Sequence, residues 1–274
     1  MTTNIYVIGD YGDHLAFNEV HLRISAAMPH ADWRVFDQNV PAFDTVSTGF
    51  CLAQLALNTP ESDTDKTKFF VNTAPRKDDP KIRVKNEGES LVYFKLYNGV
   101  EGVAVNSGYS LSFVKASATE IRTINIGKEG SQFRSRDLFP HAFGKIMAGE
   151  PNMLGDDIKD SIPDFPRECV VWTDGYGNLK CSVDPRQLEN HKGKHVKLYI
   201  NQVPILGKIA DGIFGVEDGE FCVSKGSSGW PLADGSECRF TEIVLRGGSA
   251  AKTVGNPHSG KKIGWKLVEE DKAA

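Results

Sequence analysis

The sequence contains no apolar run near the roughly 18 residues that a membrane-spanning helix needs, so no span is expected. Met1-Thr2-Thr3-Asn4 opens the chain without the basic and apolar segments of a secretory signal, and no signal peptide is expected. Cysteine is sparse and odd in number: Cys51, Cys169, Cys181, Cys222 and Cys238, with no Cys-x-x-Cys pair. That argues against a disulfide framework and a structural zinc site, and makes a reducing cytoplasm the simplest home. The 7 histidines are scattered, with no His-x-x-x-His on a helical face, so no metal is expected. No excess of basic charge marks a nucleic-acid partner. The net charge is −4; residues 169–274 carry 14 Lys and Arg against 13 Asp and Glu, which leaves residues 1–168 at −5. Phe221 and Trp230 could stack on bases, but without a basic groove they read as core.

Familiar catalytic signatures are missing too. There is no Gly-x-Ser-x-Gly, no His-Glu-x-x-His and no Gly-x-Gly-x-x-Gly after a strand. Gly255 to Lys262 approaches a phosphate loop, but Lys262 stands where a Ser or Thr would hold Mg²⁺, and little chain remains for the helix that should follow.

What remains is a chain of 274 residues with 40% apolar and 25% charged residues, an ordinary globular composition with room for two domains. Ile5-Tyr6-Val7-Ile8-Gly9-Asp10-Tyr11-Gly12 reads as a short buried strand ending in Asp and broken by Gly. An Asp beyond the carboxyl end of such a strand can accept hydrogen bonds from a ribose diol, or can simply cap a helix or turn. Asp13–Ala27 shows helical spacing, Trp33–Asp37 a second strand, Thr45–Leu57 a helix after a capping Asp44 or Thr45, and Lys68–Asn72 a third strand. Alternating strands and helices predict a mostly parallel sheet. Leu91–Leu96, Gly102–Val105 and Ser110–Val114 read as further strands, and Arg136–Ala148 as a helix. The expected organisation is an α/β domain over 1–150, a Pro-, Gly- and Asp-rich linker over 151–168, an all-β barrel-like or sandwich domain over 169–265, and a frayed tail over 266–274. The expected β strands of the second domain are Cys169–Thr173, Leu179–Val183, Lys194–Ile200, Phe214–Val216, Phe221–Ser224 and Thr241–Leu245.

Six segments, in order, resemble the S-adenosylmethionine-cleaving adenosyltransferases, a family of hydroxide adenosyltransferases, the fluorinase and the chlorinase. They are Asp10-Tyr11-Gly12; Val35 to Asp44; Ala104-Val105-Asn106-Ser107-Gly108; Phe133 to Phe139; Asp174-Gly175-Tyr176-Gly177-Asn178; and Thr241 to Ala251. The resemblance spans nearly the whole chain. It implies displacement at the ribose 5′ carbon of S-adenosylmethionine, with methionine leaving and no cofactor needed. It also implies a homotrimer with sites at subunit interfaces; from the charge balance and the lack of an apolar run, neither nucleic acid nor membrane is expected as partner. The sulfonium already activates its carbon, so the protein's task is to align nucleophile, carbon and sulfur and to strip water. By position in the family, Asp10 holds the ribose hydroxyls and Phe43 lies against the ribose. Asp174 pairs with the methionine ammonium and Tyr176 stacks on adenine. Asn178 and the Gly247 backbone read the adenine edge. Ser227 and Ser228 face the carboxylate, and Phe133 and Arg246 complete the binding set.

The catalytic positions depart from the family. Asn72 replaces the Asp that helps handle water, and Arg134 replaces the His of the Phe-His-Gly-Arg-Asp loop. Asn is no general base at neutral pH, and Arg stays protonated. Ser135 matches the halide-binding Ser of the fluorinase, or caps the following helix. Arg76 and Arg134 could form an anion pocket, with an anion as nucleophile. The same changes suit a degenerate member that binds an adenosyl ligand without cleaving it.

Overall fold

A computed structural model describes residues 2–73, 89–127 and 133–268. The chain divides into one unit of Met1–Phe165 with Leu232–Gly235, and another of Pro166–Pro231 with Ser236–Ala274. Each is built on a mixed seven-stranded sheet. Among the described residues no helix is long and apolar enough to cross a membrane.

The first unit holds strands β1 (Thr3–Gly9), β2 (Trp33–Asn39), β3 (Thr67–Asn72), β4 (Leu91–Leu96), β5 (Glu101–Val105), β6 (Ala118–Ile124) and β7 (Leu154–Asp157). Their order is β2-β1-β3-β5-β4-β6-β7. The first four strands in that order are parallel and the remaining pairings antiparallel, so the sheet is only half of the parallel kind that the alternating pattern suggests. The strand order reverses between β1 and β3, because the chain leaves β1 for β2 on one side and β3 for β4 and β5 on the other. In open α/β sheets ligands bind beyond the carboxyl ends of strands at such a reversal.

Helices α1 (His14–Ala27) and α4 (Phe139–Met147) cover the face that carries Ile5, Val7, Phe70 and Val103. Asp13 caps α1 by accepting from Ala16 N–H at 2.9 Å. Helix α2 (Thr45–Ala56) lies against β1 and β3, and it is buried nearly all round. Such a helix needs small residues on more than one face, and Gly49 is one: a Cβ there would stand 2.3 Å from the Tyr109 carbonyl oxygen.

Several expectations change. Ser110–Val114 alternates like a strand but coils through turns, with Ser110 N–H to Ser107 C=O at 3.0 Å and Val114 N–H to Leu111 C=O at 3.2 Å. All five of these residues are buried, so polarity alternates without marking a wet face. The helix expected from Arg136 begins at Arg134 and breaks at Leu138 into α3 (Arg134–Asp137) and α4, where Pro140 cannot donate into a continuous ladder. The stretch expected as linker contains β7, paired with β6. Strand β6 has no counterpart in the sequence reading, because its exposed and half-buried residues blur the alternation.

The second unit holds β8 (Val170–Thr173), β9 (Leu179–Cys181), β10 (His195–Ile200), β11 (Val203–Ile209), β12 (Phe221–Pro231), β13 (Glu237–Leu245), the short helix α5 (Ala250–Thr253) and β14 (Ile263–Leu267). Their order is β14-β10-β11-β12-β13-β9-β8. Strand β10 alternates exposed and buried residues, with Val196, Leu198 and Ile200 inward in the core. An isolated bridge between Cys169 and Lys262 joins the outer strands, so the sheet curls toward a barrel. Phe214–Val216 is no strand: Ile213–Gly215 forms a 3₁₀ turn between glycines 212 and 215. Strand β14 runs through Leu267, into the stretch expected to fray; residues 269–274 lie outside the described ones.

Candidate functional site

At the carboxyl edge of the first sheet, Asp10 follows β1 and Asn72 ends β3. The Asp10 N–H faces the Asn72 carbonyl at 3.4 Å, so the two stand side by side at the strand-order reversal. The Asp10 carboxylate reaches the loop after β2, where Oδ2 accepts the Phe43 N–H at 2.8 Å. Phe43 takes a left-handed conformation, φ 63°, with its ring 48% exposed. That conformation is unfavourable for a bulky residue. Asp44 then caps α2, accepting from Ser47 N–H at 2.9 Å and Ser47 Oγ at 2.7 Å.

A buried hydroxyl network ties the neighbouring loops together. Thr48 donates to the Asp44 carbonyl at 2.7 Å and lies 2.8 Å from the Thr73 hydroxyl. Ser107 donates to the Thr73 carbonyl, and its oxygen lies 3.2 Å from Ser110 Oγ. The ends of α2, β3 and β5 are thereby held in register. Thr48 and Thr73 escape sequence reasoning because isolated threonines carry no pattern.

Tyr11 sits beneath the site. Its ring meets Phe17 edge-on at 4.9 Å and Phe133 at 6.0 Å. Burial pushes the Tyr11 phenol well up, Ser135 beside it opposes this, and the Asp10 and Asp37 charges add to it; the hydroxyl itself has no hydrogen-bond partner among the described residues. The phenol therefore stays protonated. Gly9 makes room for this ring, since a Cβ there would stand 2.6 Å from it. Ser135 is buried beside Tyr11, and among the described residues no side-chain bond caps α3 or α4.

The other expected catalytic residues are placed differently. Arg134 donates to the Glu89 carbonyl and lies 5.2 Å from the Phe139 ring centre. Its guanidinium is thus engaged between the segment before β4 and the start of α4. Arg76 lies outside the described residues. Phe133 packs between Tyr11 and Arg136, whose guanidinium is 5.0 Å from the ring centre.

In the second unit, Asp174 organises the turn between β8 and β9. Oδ1 accepts from Tyr176 N–H and Asn178 N–H, each at 3.0 Å. Oδ2 accepts from Asn178 Nδ2 at 3.1 Å and lies 3.2 Å from Lys180 Nζ. A carboxylate offers about four lone-pair sites, and four donors occupy them. Burial pushes the Asp174 carboxyl up, but the Asn178 amide and Lys180 outweigh it and hold it below its ordinary value. Asp174 is thus engaged by its own turn and by Lys180 of β9. Lys180 also pairs with Glu242.

Tyr176 stands at the tip of this turn, 85% exposed. Gly177 has φ 84°, and its Cβ would stand 2.0 Å from Ser249 Oγ. Gly247, φ 78°, is pressed nearly as closely against the Asp218 carboxylate. Arg246 donates to the Val216 carbonyl and lies 5.8 Å from the ring centre of Phe214, an 87% exposed aromatic that sequence reasoning did not single out. The structure thus gathers Tyr176 and Asn178 with the Gly247 turn through the pairing of β9 with β13. Ser227 and Ser228 stand apart. They form the bulge between Lys225 and Gly229, opposite the Arg239–Thr241 stretch of β13, four or more residues and so roughly 13 Å from its Leu245 end.

The fold has solved counterparts. The chain resembles an uncharacterized conserved protein from Thermotoga maritima, with a TM-score of 0.70, 20% identity and coverage of 96% of this chain and 100% of that one. It also resembles a conserved hypothetical protein from Thermus thermophilus, with a TM-score of 0.64, 15% identity and coverage of 97% and 100%. At these identities the likeness is one of fold. No protein-family model and no curated protein matches the chain.

Proposed function

We propose that the chain binds S-adenosylmethionine and cleaves it by displacement at the ribose 5′ carbon, giving methionine and adenosine or an adenosine derivative. The observation that carries this reading is the position of Asp10. It lies beyond the carboxyl end of β1, beside Asn72 at the reversal of strand order, and its carboxylate anchors the loop that presents the Phe43 ring. A carboxylate acceptor beside an exposed aromatic ring suits a ribose. Asn72 offers a polar group but no strong base, and the buried Tyr11 phenol stays protonated, so alignment and desolvation are the means left for catalysis. No cofactor is part of this reading. It includes a homotrimer working in the cytoplasm, with neither nucleic acid nor membrane as partner.

The test is chromatography of the purified protein with S-adenosylmethionine in buffers differing in halide and phosphate. Methionine with adenosine in every buffer is the expected result for water as nucleophile; a new adenosine derivative in one buffer names another. A second reading has a specific observation behind it: Arg134 is engaged by Glu89 and Phe139, and Asn72 lacks a carboxylate. An adenosyl-binding protein without turnover fits that arrangement. It predicts no product but a saturable calorimetric titration. Neither product nor binding would overturn both.

A further inference from the structure

The amino edge of the first sheet, opposite the Asp10 edge, carries a cavity. It has a volume of about 390 Å³ and opens between the starts of β1, β2 and β3 and the last turns of α1 and α4. That is the size of a small-molecule pocket. Ile5, Met28, Trp33, Phe143 and Met147 make its lining mostly apolar. It lies roughly 20 Å from Asp10, the length of β1.

Besides Thr3 and His30, one charged residue lines this mostly apolar space. Lys68 lines the cavity with its side chain only 15% exposed. Its ammonium bonds Glu101 Oε1 at 2.7 Å, and Tyr93 donates to the other Glu101 oxygen. An ammonium has three donors, and Lys68 has no other partner among the described residues. Burial pushes the Glu101 carboxyl up, but the bonds from Lys68 and Tyr93 outweigh it, so the carboxylate stays charged and cancels the ammonium. The Tyr93 phenol is pushed up by burial first and then by Glu101, and stays neutral. The row is neutral overall, and Lys68, which lines the cavity, keeps donors that no described residue uses.

The helices set the sign of what fits. The cavity is lined by Ala27 and Met28 at the end of α1, and by Met147 and Ala148 at the end of α4. Helix carboxyl ends carry partial negative charge and disfavour an anion. A cation would meet the Lys68 ammonium.

We propose that this cavity is a binding site for an uncharged, mainly apolar molecule whose hydrogen-bond acceptor, a hydroxyl or carbonyl oxygen, meets Lys68. The site is separate from the adenosyl reading and does not depend on it. The apolar body lies against Trp33, Met28 and Met147, so Trp33 reports occupancy.

The experiment titrates the full-length protein with octanol, octanoate and octylammonium, following tryptophan emission and heat. Octanol should bind saturably, one to one, and shift the emission; the shift should vanish in Trp33→Phe while the heat remains. Octanoate and octylammonium should bind at least about tenfold more weakly. Lys68→Met should weaken octanol about tenfold, the loss of one hydrogen bond, and Lys68→Gln should restore most of it. Ala148→Phe places a ring in the cavity, leaves the Lys68 row intact and should abolish binding. Absence of saturable octanol binding, unchanged affinity in Ala148→Phe or in folded Lys68→Met, or charged probes binding as tightly as octanol would each overturn the proposal.

Discussion

The carboxylate of Asp10 accepts the amide of Phe43 across 33 residues of sequence, at 2.8 Å, and so joins the end of β1 to the loop after β2. One oxygen of the proposed ribose-binding group is thereby committed to shaping the loop that presents the neighbouring ring. Structural and binding roles meet in the same side chain, and substitution separates them.

Phe43 sits at φ 63°, a conformation costing a bulky residue about 1 kcal/mol that glycine avoids. Phe43→Gly should therefore cost the fold little while lowering affinity for S-adenosylmethionine, because the half-exposed ring is gone. Asp10→Ala should lose both: about 0.5–1.5 kcal/mol of stability from the lost bond to the Phe43 amide, and ligand affinity. Denaturant melts beside calorimetric titrations of the two variants check this. Equal effects on both properties in both variants would contradict it.

Thr48→Val keeps the shape of the side chain but removes its bonds to the Asp44 carbonyl and the Thr73 hydroxyl. A loss of about 1–3 kcal/mol is expected in urea unfolding. Because Thr73 adjoins Asn72, ligand affinity should fall as well, although Thr48 is fully buried. Thr48→Ser, which keeps the hydroxyl, should restore affinity.

Asp174 is held below its ordinary acidity value, so its ionised form is favoured by folding. Its contribution is complete above the unfolded value, about 4, and is lost as pH falls through the lower folded value. Asp174→Asn should therefore lower thermal stability at pH 7 and flatten the decline as pH falls below about 4. Melting temperatures across that range provide the check. An unchanged acid limb would show that the Asn178 and Lys180 contacts do not favour the carboxylate.

Gly177→Ala combines a left-handed backbone with a Cβ placed 2.0 Å from Ser249 Oγ and 2.9 Å from Ser249 Cβ. Ser249 cannot swing aside freely, because its Oγ accepts from Lys252 N–H at 3.2 Å at the start of α5. A destabilisation of about 2 kcal/mol or more is expected, read as a fall in the urea midpoint. Gly175→Ala, in the same turn but with nothing within 4 Å of the new Cβ, serves as the control and should change little.

Much of the architecture is legible in the chain itself, because local physics writes it there. Buried β-branched runs mark β1 and β3; Asp13 and Asp44 stand where caps are needed; the alternation of β10 follows from one wet face and one dry one. The change from helical spacing to short strands separates the two halves. Asp10 and Asn178 can be picked out because an Asp after a strand and a Gly-Asn turn are short-range signals. What the chain does not display depends on partners distant in sequence. Half-buried β6 has no clean period, and Ser110–Val114 has one that its coiled, fully buried setting makes meaningless. The engagement of Arg134 with Glu89, the filling of Asp174 by its turn and Lys180, the meeting of Ser135 with Tyr11 and the single partner of the Lys68 ammonium among the described residues are facts of packing. Residue type determined that these groups can donate, accept or carry charge. Only the tertiary structure decided which of those capacities the fold consumes and which it leaves for a ligand, since burial and long-range pairing set the balance of solvation and hydrogen bonding at each group.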